Sequence, residues 1–275
     1  MAGKLSTPDV NFHIGAPGVA SEIMKDLAKN EAVRKDSHTR ILRAEEYRQF
    51  LRPKVNASKD ITDLIAEEVT EQDRFWKRLS KYQVLAASQH AMLGHPKDVI
   101  RKGVILPDAA GRVERLCELF KGHRLDLHVT ITRQSNYISG MPPDQLTSED
   151  LEAPTGGVLS WLEFVSRIRA VSPDNQVLVW DFSDPGKVAL PFAMAMLHFE
   201  EALVSKLKTS VKKSIEYRAV FEKIFDAYVP NDDICNLLDA QFEADLKGIE
   251  ALPNTVVIRP SAVPKEFHIK MPGPA

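Results

Sequence analysis

The feature that most restricts this chain lies near its start. A short apolar strand pattern, Val10 to Ile14, runs into the turn Gly15-Ala16-Pro17-Gly18 and then into a helical stripe carried by Ile23, Met24 and Leu27. In a strand, glycine turn and helix taken in that order, backbone amides can meet an anion, because the first N–H groups of a helix have no acceptor within it. Ser21 is expected to cap the helix, with Glu22 and Asp26 near its positive end.

Further strand patterns follow at Gln83 to Ala87, Leu125 to Thr132, Gln176 to Asp181 and Thr255 to Ile258. Between them lie helical patterns at Ala44 to Leu51, at Asp60 to Leu79, from Pro107 onward and at Val158 to Val171. Strands that alternate with helices predict an α/β fold with a mainly parallel sheet flanked by helices, since parallel neighbours need long crossovers. The C-terminal part is helical. One long helix is expected over His198 to Tyr228, with Phe199, Leu203, Leu207, Val211 and Ile215 four residues apart, and a second over Ile234 to Ile249. Left exposed, the first stripe would suit a homodimer; its lysines form a solvated face. Residues 1–260 are expected to form a single domain and residues 261–275 a loose Pro-rich tail.

Composition then removes several classes of function. Lys plus Arg number 36 against 38 Asp plus Glu, so a net charge of −2 provides no field for drawing in nucleic acid or an acidic membrane. Cys117 and Cys235 stand far apart in apolar helical contexts, which argues against a disulfide scaffold or a structural zinc site. His90 and His95 are close in sequence, but no third ligand is spaced to complete a metal site. The N-terminus carries no apolar run of signal-peptide length, and the run Val188 to Leu197 is interrupted by Pro191 and too short to span a bilayer. The expectation is a cytoplasmic protein.

Several segments together resemble the bacterial sulfotransferase-like proteins of the P-loop superfamily. Phe12-His13-Ile14-Gly15-Ala16 is similar to their opening, where the run usually continues His-Lys-Thr-Gly-Thr-Thr. Ala87-Ser88-Gln89-His90 at a strand end, Pro107-Asp108-Ala109-Ala110 opening a helix and Thr132-Arg133 closing a strand follow in the same order, so the likeness covers nearly the whole chain. The resemblance implies a P-loop NTPase-like fold. It also implies binding of 3′-phosphoadenosine 5′-phosphosulfate and transfer of its sulfuryl group to a hydroxyl or amine of a small-molecule or glycan acceptor.

On that resemblance Gly15, Gly18 and Ser21 fall in the donor's phosphate loop, and Arg133 takes the place of an arginine that holds the 3′-phosphate. A partner serine is expected about eight residues after that arginine. Met141 stands there, with Ser135 and Ser139 nearest, and Ser139 is the candidate. The loop lysine that stabilises charge on the leaving phosphate is replaced by Gly18, Pro17 removes an amide, and Glu22 adds a negative charge. His90 is the candidate base, in a loop after a central strand where an imidazole can accept a proton from an acceptor hydroxyl. An ordinary loop histidine is the competing reading, since related proteins show Asp-Glu-Asn in place of Gln89-His90-Ala91. His13 and His128 lie inside strand patterns and read as packed or hydrogen-bonded. Two functions stay open: an active sulfotransferase, or a non-catalytic descendant that keeps the fold as a binding or interaction module.

Overall fold

Strand β1 (Asp9–Gly15) is buried from Val10 to its end and occupies the middle of a sheet. It pairs in parallel with β3 (Val84–Ser88) on one side and β6 (Leu125–Ile131) on the other. Beyond β3 lies β2 (Thr39–Ile41), and beyond β6 lie β7 (Gln176–Asp181) and β8 (Thr255–Ile258). The result is a six-stranded sheet in the order β2-β3-β1-β6-β7-β8 with every pairing parallel. A separate antiparallel pair joins β4 (Ile100–Arg101) to β5 (Val104–Ile105). This is a computed structural model of the 275-residue chain. It describes residues 7–16, 18–36, 38–55, 75, 77–89, 92–93, 99–139, 159–198, 204–222 and 232–269.

Helices cover both faces, so the central strands are buried at nearly every position, the alternate polar residues Asn11, His13, Asp126, His128 and Thr130 included. On one face α1 (Val19–Leu27), α8 (Pro185–Leu197) and α9 (Val204–Glu222) enclose a core of Ile23, Leu27, Phe192, Met196, Val211 and Trp180. On the other, α5 (Ala109–Leu119), α7 (Trp161–Val171) and α10 (Asp232–Glu250) pack on Phe12, Ile14, Leu127, Val129 and Val179. The short helices α2 (Glu31–Lys35), α3 (Ala44–Glu46), α4 (Arg52–Val55) and α6 (Gln134–Ser139) link these layers, with a π-helical turn at Tyr47–Leu51 between α3 and α4. Among the described residues no helix is long and apolar enough to cross a membrane.

The chain leaves β1 toward the face of α1 and α8, whereas it leaves the neighbouring β6 toward the face of α7. Adjacent strands whose connections part in this way create a topological switch point at their carboxyl ends, the place where open α/β sheets bind ligands.

Three expectations need correcting. Ser21 is not the cap of α1: Gly18 is, and Ser21 lies buried within the helix. Gly18 wins because its φ of 158° and ψ of −146° turn the chain out of the sheet one turn earlier, a conformation that favours glycine. His198 does not open a long helix; it ends α8 in the left-handed conformation at φ 49°. The reason is tertiary, because Asn11 Nδ2 donates to the carbonyls of Ala195 and Met196 and Thr39 Oγ1 to that of Leu197, so the sheet takes the last carbonyls of α8. Helix α9 is already formed at Val204, and its stripe residues Leu207, Val211 and Ile215 are covered by the rest of the chain rather than left for a partner. Phe199, Leu203 and the stretch toward Tyr228 beyond Glu222 lie outside the described residues, as does most of Asp60 to Leu79. Finally, residues 261–269 of the expected tail are docked through Ile269, whose amide donates to the Gly186 carbonyl at 2.7 Å while Val263 and Ile269 are buried; residues 270–275 lie outside the described residues.

His128 of β6 is buried beside Trp180, whose indole N–H donates to Nδ1 at 3.2 Å. Burial, with a smaller contribution from His198, holds the imidazole down to about 3 from an ordinary value of 6.5. Unfolded chains therefore take up a proton below about pH 6.5 that the folded protein refuses. His128 thus contributes no penalty above that pH and costs stability progressively as pH falls toward 3, at up to about 1.4 kcal/mol per pH unit. His128→Gln keeps an acceptor for Trp180 and removes the titration. Urea unfolding between pH 6 and 4 is expected to show a flatter stability curve for the variant, and parallel curves would contradict the account.

Candidate functional site

The loop after β1 starts from a close backbone contact. Gly15 has φ 117°, and a Cβ there would stand 2.7 Å from the Thr130 nitrogen and closer still to its carbonyl oxygen. Only glycine lets β1 lie this tightly on β6, and Ala16 N–H extends the pairing by donating to Thr130 O at 2.9 Å. After Gly18, the Ser21 amide is given to the Gly18 carbonyl at 3.1 Å. Among the described residues, that leaves the Val19 and Ala20 amides as the first N–H groups of the helix without an acceptor within it.

Beneath the loop, His13 joins three strands. Its Nδ1 is 2.7 Å from Ser88 Oγ on β3, and its Nε2 is 2.9 Å from Thr130 Oγ1 on β6. The ring is fully buried, edge-on to Phe192 of α8 at 5.2 Å. His13 and His128 therefore are packed and hydrogen-bonded, as their strand patterns indicate.

A cleft of about 600 Å³ opens on the β2–β3 side, between the carboxyl ends of those strands and the flank of α1. Ser21, Lys25, Lys29, Arg34, Arg43, Ser88 and Gln89 line it, with Glu45 as the acidic member. Two of the cations have partners on their own helix: Lys25 holds Glu22 at 2.6 Å and Lys29 faces Asp26 at 3.8 Å. Glu22 is thus countered by Lys25 rather than free to repel an anion. Arg34 and Arg43 are exposed and form no ion pair among the described residues. A planar guanidinium presents donors in the fork geometry that phosphate and sulfate oxygens accept.

Arg133 belongs to a different cleft, of about 490 Å³, over the carboxyl ends of β6, β7 and β8. Its guanidinium lies 3.3 Å from Asp239 and 3.7 Å from Glu243, over the ring of Phe242 at 5.6 Å. Arg259 shares Glu243 and also binds Glu250 at 2.8 Å, and Lys187 pairs with Asp184. Positive charge is matched by carboxylates throughout this cleft. Asp181 on its floor is pushed above the usual carboxylate range by burial, against the opposing donation of the Ser183 amide. Arg133 is positioned by its surroundings: Trp161 Nε1 donates to Thr132 O at 2.7 Å, and the buried Asp245 binds Trp161 N, Ser160 Oγ and Gln134 Nε2. The hydroxyl of Ser139 is taken by its own helix, donating to the Ser135 carbonyl at 2.7 Å, and Ser135 donates to Asp239.

Gly15, Gly18 and Ser21 therefore come together at the end of β1, whereas Arg133 and Ser139 sit across β6 from them, and Ser21 and Arg133 open into separate clefts. His90 lies outside the described residues. Arg34 and Arg43 escape the sequence reading. Arg43 follows a three-residue strand too short to show periodicity, and Arg34 lies in the last turn of a five-residue helix. Among the described residues no group of three or more His, Cys, Asp or Glu side chains is placed to hold a metal ion.

Gly15→Ala is expected to lower stability by roughly 2 kcal/mol or more, because the added methyl meets backbone rather than a movable side chain. Denaturant midpoints check this, and a wild-type midpoint would contradict the close β1–β6 approach.

No protein-family profile matches the chain, and neither does any curated protein.

Proposed function

We propose that this chain is a P-loop-type, sulfotransferase-like protein that holds a bisphosphorylated nucleotide of the 3′-phosphoadenosine 5′-phosphosulfate class without fast sulfuryl transfer. The observation that carries the reading is the cationic cleft beside the loop after β1, lined by Ser21 of α1 together with Arg34 and Arg43, which form no ion pair among the described residues. The sheet order supports it, since β1 lies at the switch point and leads through Gly15 and Gly18 into a helix. The resemblance of the whole chain to sulfotransferase-like proteins supplies the ligand class.

One feature speaks for holding over turnover, and two others speak for a nucleotide seat that does not use Arg133 or Ser139. No lysine stands between Gly15 and Ser21 to meet charge on the leaving phosphate, and one lost donor of that kind typically costs about a hundredfold to a thousandfold in rate. Arg133 faces two carboxylates, which an anion has to displace or share. Ser139 has its hydroxyl engaged in its own helix.

Calorimetric titration with 3′-phosphoadenosine 5′-phosphate tests the proposal. Micromolar binding is expected, weakened about tenfold or more in Arg34→Ala and Arg43→Ala, since a charged hydrogen bond contributes on the order of 1.5–3 kcal/mol. Arg133→Ala is expected to change affinity by less than about threefold, within the effect of an exposed pair. Absence of binding at millimolar ligand contradicts the nucleotide reading. Loss of binding in Arg133→Ala alone would seat the nucleotide in the other cleft, and turnover of the phosphosulfate at roughly 1 per second or faster would restore the enzyme reading.

A further inference from the structure

The floor of the cationic cleft carries a chain of polar groups that nucleotide binding does not use. Ser88 Oγ, His13 Nδ1, His13 Nε2, Thr130 Oγ1 and the Ala16 carbonyl follow one another at 2.7, 2.9 and 3.4 Å across three adjacent strands. A carbonyl oxygen can only accept, so in the arrangement that makes all three contacts hydrogen bonds the Thr130 hydroxyl donates to Ala16 O and its oxygen accepts from His13 Nε2–H. The neutral ring then carries its proton on Nε2 and an open lone pair on Nδ1, which accepts the Ser88 hydroxyl hydrogen. Ser88 is half-buried and lines the cleft, whereas His13 and Thr130 are buried behind it.

We propose that Ser88 is a nucleophile activated by His13, with Thr130 as the residue that positions the imidazole, and that it acts on carboxylic esters bearing an anionic group held by Arg34 and Arg43. A hydroxyl in hydrogen-bond contact with a base, itself oriented by a third group, is the arrangement by which serine is activated on unrelated folds. Ser88 Oγ forms a bond to the ester carbonyl carbon as its proton moves to His13 Nδ1. The ester C–O bond breaks, and the leaving oxygen takes that proton from His13. Water then attacks the acyl-serine, gives a proton to His13, and releases the acid as His13 returns the proton to Ser88 Oγ. The net reaction consumes one ester and one water and yields one acid and one alcohol. Gln89, the next residue in the chain, lines the same cleft; its backbone amide is committed to the His13 carbonyl at 3.2 Å, so its side-chain amide is the group of this residue able to donate to the ester oxygen.

The test is independent of nucleotide binding. Folded protein is treated with diisopropyl fluorophosphate, which loses fluoride as Oγ bonds to phosphorus, and the adduct is located by peptide mass spectrometry. Ser88 is expected to react at least about a hundredfold faster in the folded protein than in urea-unfolded chain, and about a hundredfold more slowly in His13→Gln. If His13→Gln does not fold, Thr130→Val keeps the side-chain shape, removes the acceptor of Nε2 and is expected to lower the rate at least about tenfold. The wild type is also expected to hydrolyse the 4-nitrophenyl monoester of succinate faster than 4-nitrophenyl acetate, a preference lost in Arg43→Ala. No adduct at Ser88, equal rates in folded and unfolded chain, an unchanged rate in the folded variants, or labelling without turnover of either ester overturns the proposal.

Discussion

His13 ties the sheet together from inside, and the rest of the structure depends on where it stands. Its two ring nitrogens reach Ser88 on β3 and Thr130 on β6, so the carboxyl ends of three strands are held in register by side chains as well as by the backbone ladder. Just beyond it Gly15 lets β1 lie against Thr130, which fixes the height at which the loop leaves the sheet. Two residues before His13 in β1, the buried Asn11 takes the last carbonyls of α8. Alternate side chains of one strand thus set the loop above and the helix that covers it. A buried polar side chain that satisfies its partners in this way fixes register more sharply than apolar packing alone, since leaving any of these groups unpaired costs on the order of 1–3 kcal/mol.

Charge divides the carboxyl edge into two unlike halves. Over β6, β7 and β8, Arg133, Arg259 and Lys187 each face carboxylates, and an entering anion competes with groups already in place. Over β2 and β3 the two helix lysines are matched along α1, whereas Arg34 and Arg43 form no ion pair among the described residues. A net charge of −2 for the whole chain therefore conceals a local positive field where the switch-point loop begins its helix. Exposed ion pairs are weak individually, so the distinction rests on which arginines are uncommitted rather than on how many are present.

The long buried strands could be recognised from sequence because Leu125 to Ile131 alternates apolar with polar residues and Gln176 to Asp181 holds the continuous apolar run Val177 to Trp180. Strand β2 could not, since three residues carry no period, and with it went Arg43 and one wall of the cleft. The break at His198 was hidden for another reason. Nothing local forbids a helix there, and the chain stops because Asn11 and Thr39, far away in sequence, take the carbonyls of α8. Ser21 looked like a cap because serine usually is one, yet Gly18 reaches the required backbone first. The candidate residues at the end of β1 were found because strand, turn and helix are contiguous. The division of Ser21 and Arg133 between two clefts needed the sheet order, which no local pattern contains.

The central claim is that the β2–β3 half of the carboxyl edge is the half that takes a nucleotide. Amide hydrogen exchange with and without 3′-phosphoadenosine 5′-phosphate reads this directly, peptide by peptide. The account predicts added protection in the first turns of α1 and in the segment from Ile41 to Glu45, with no change around Arg133 or Arg259. Protection confined to the peptides that carry Arg133 and Arg259 would contradict it.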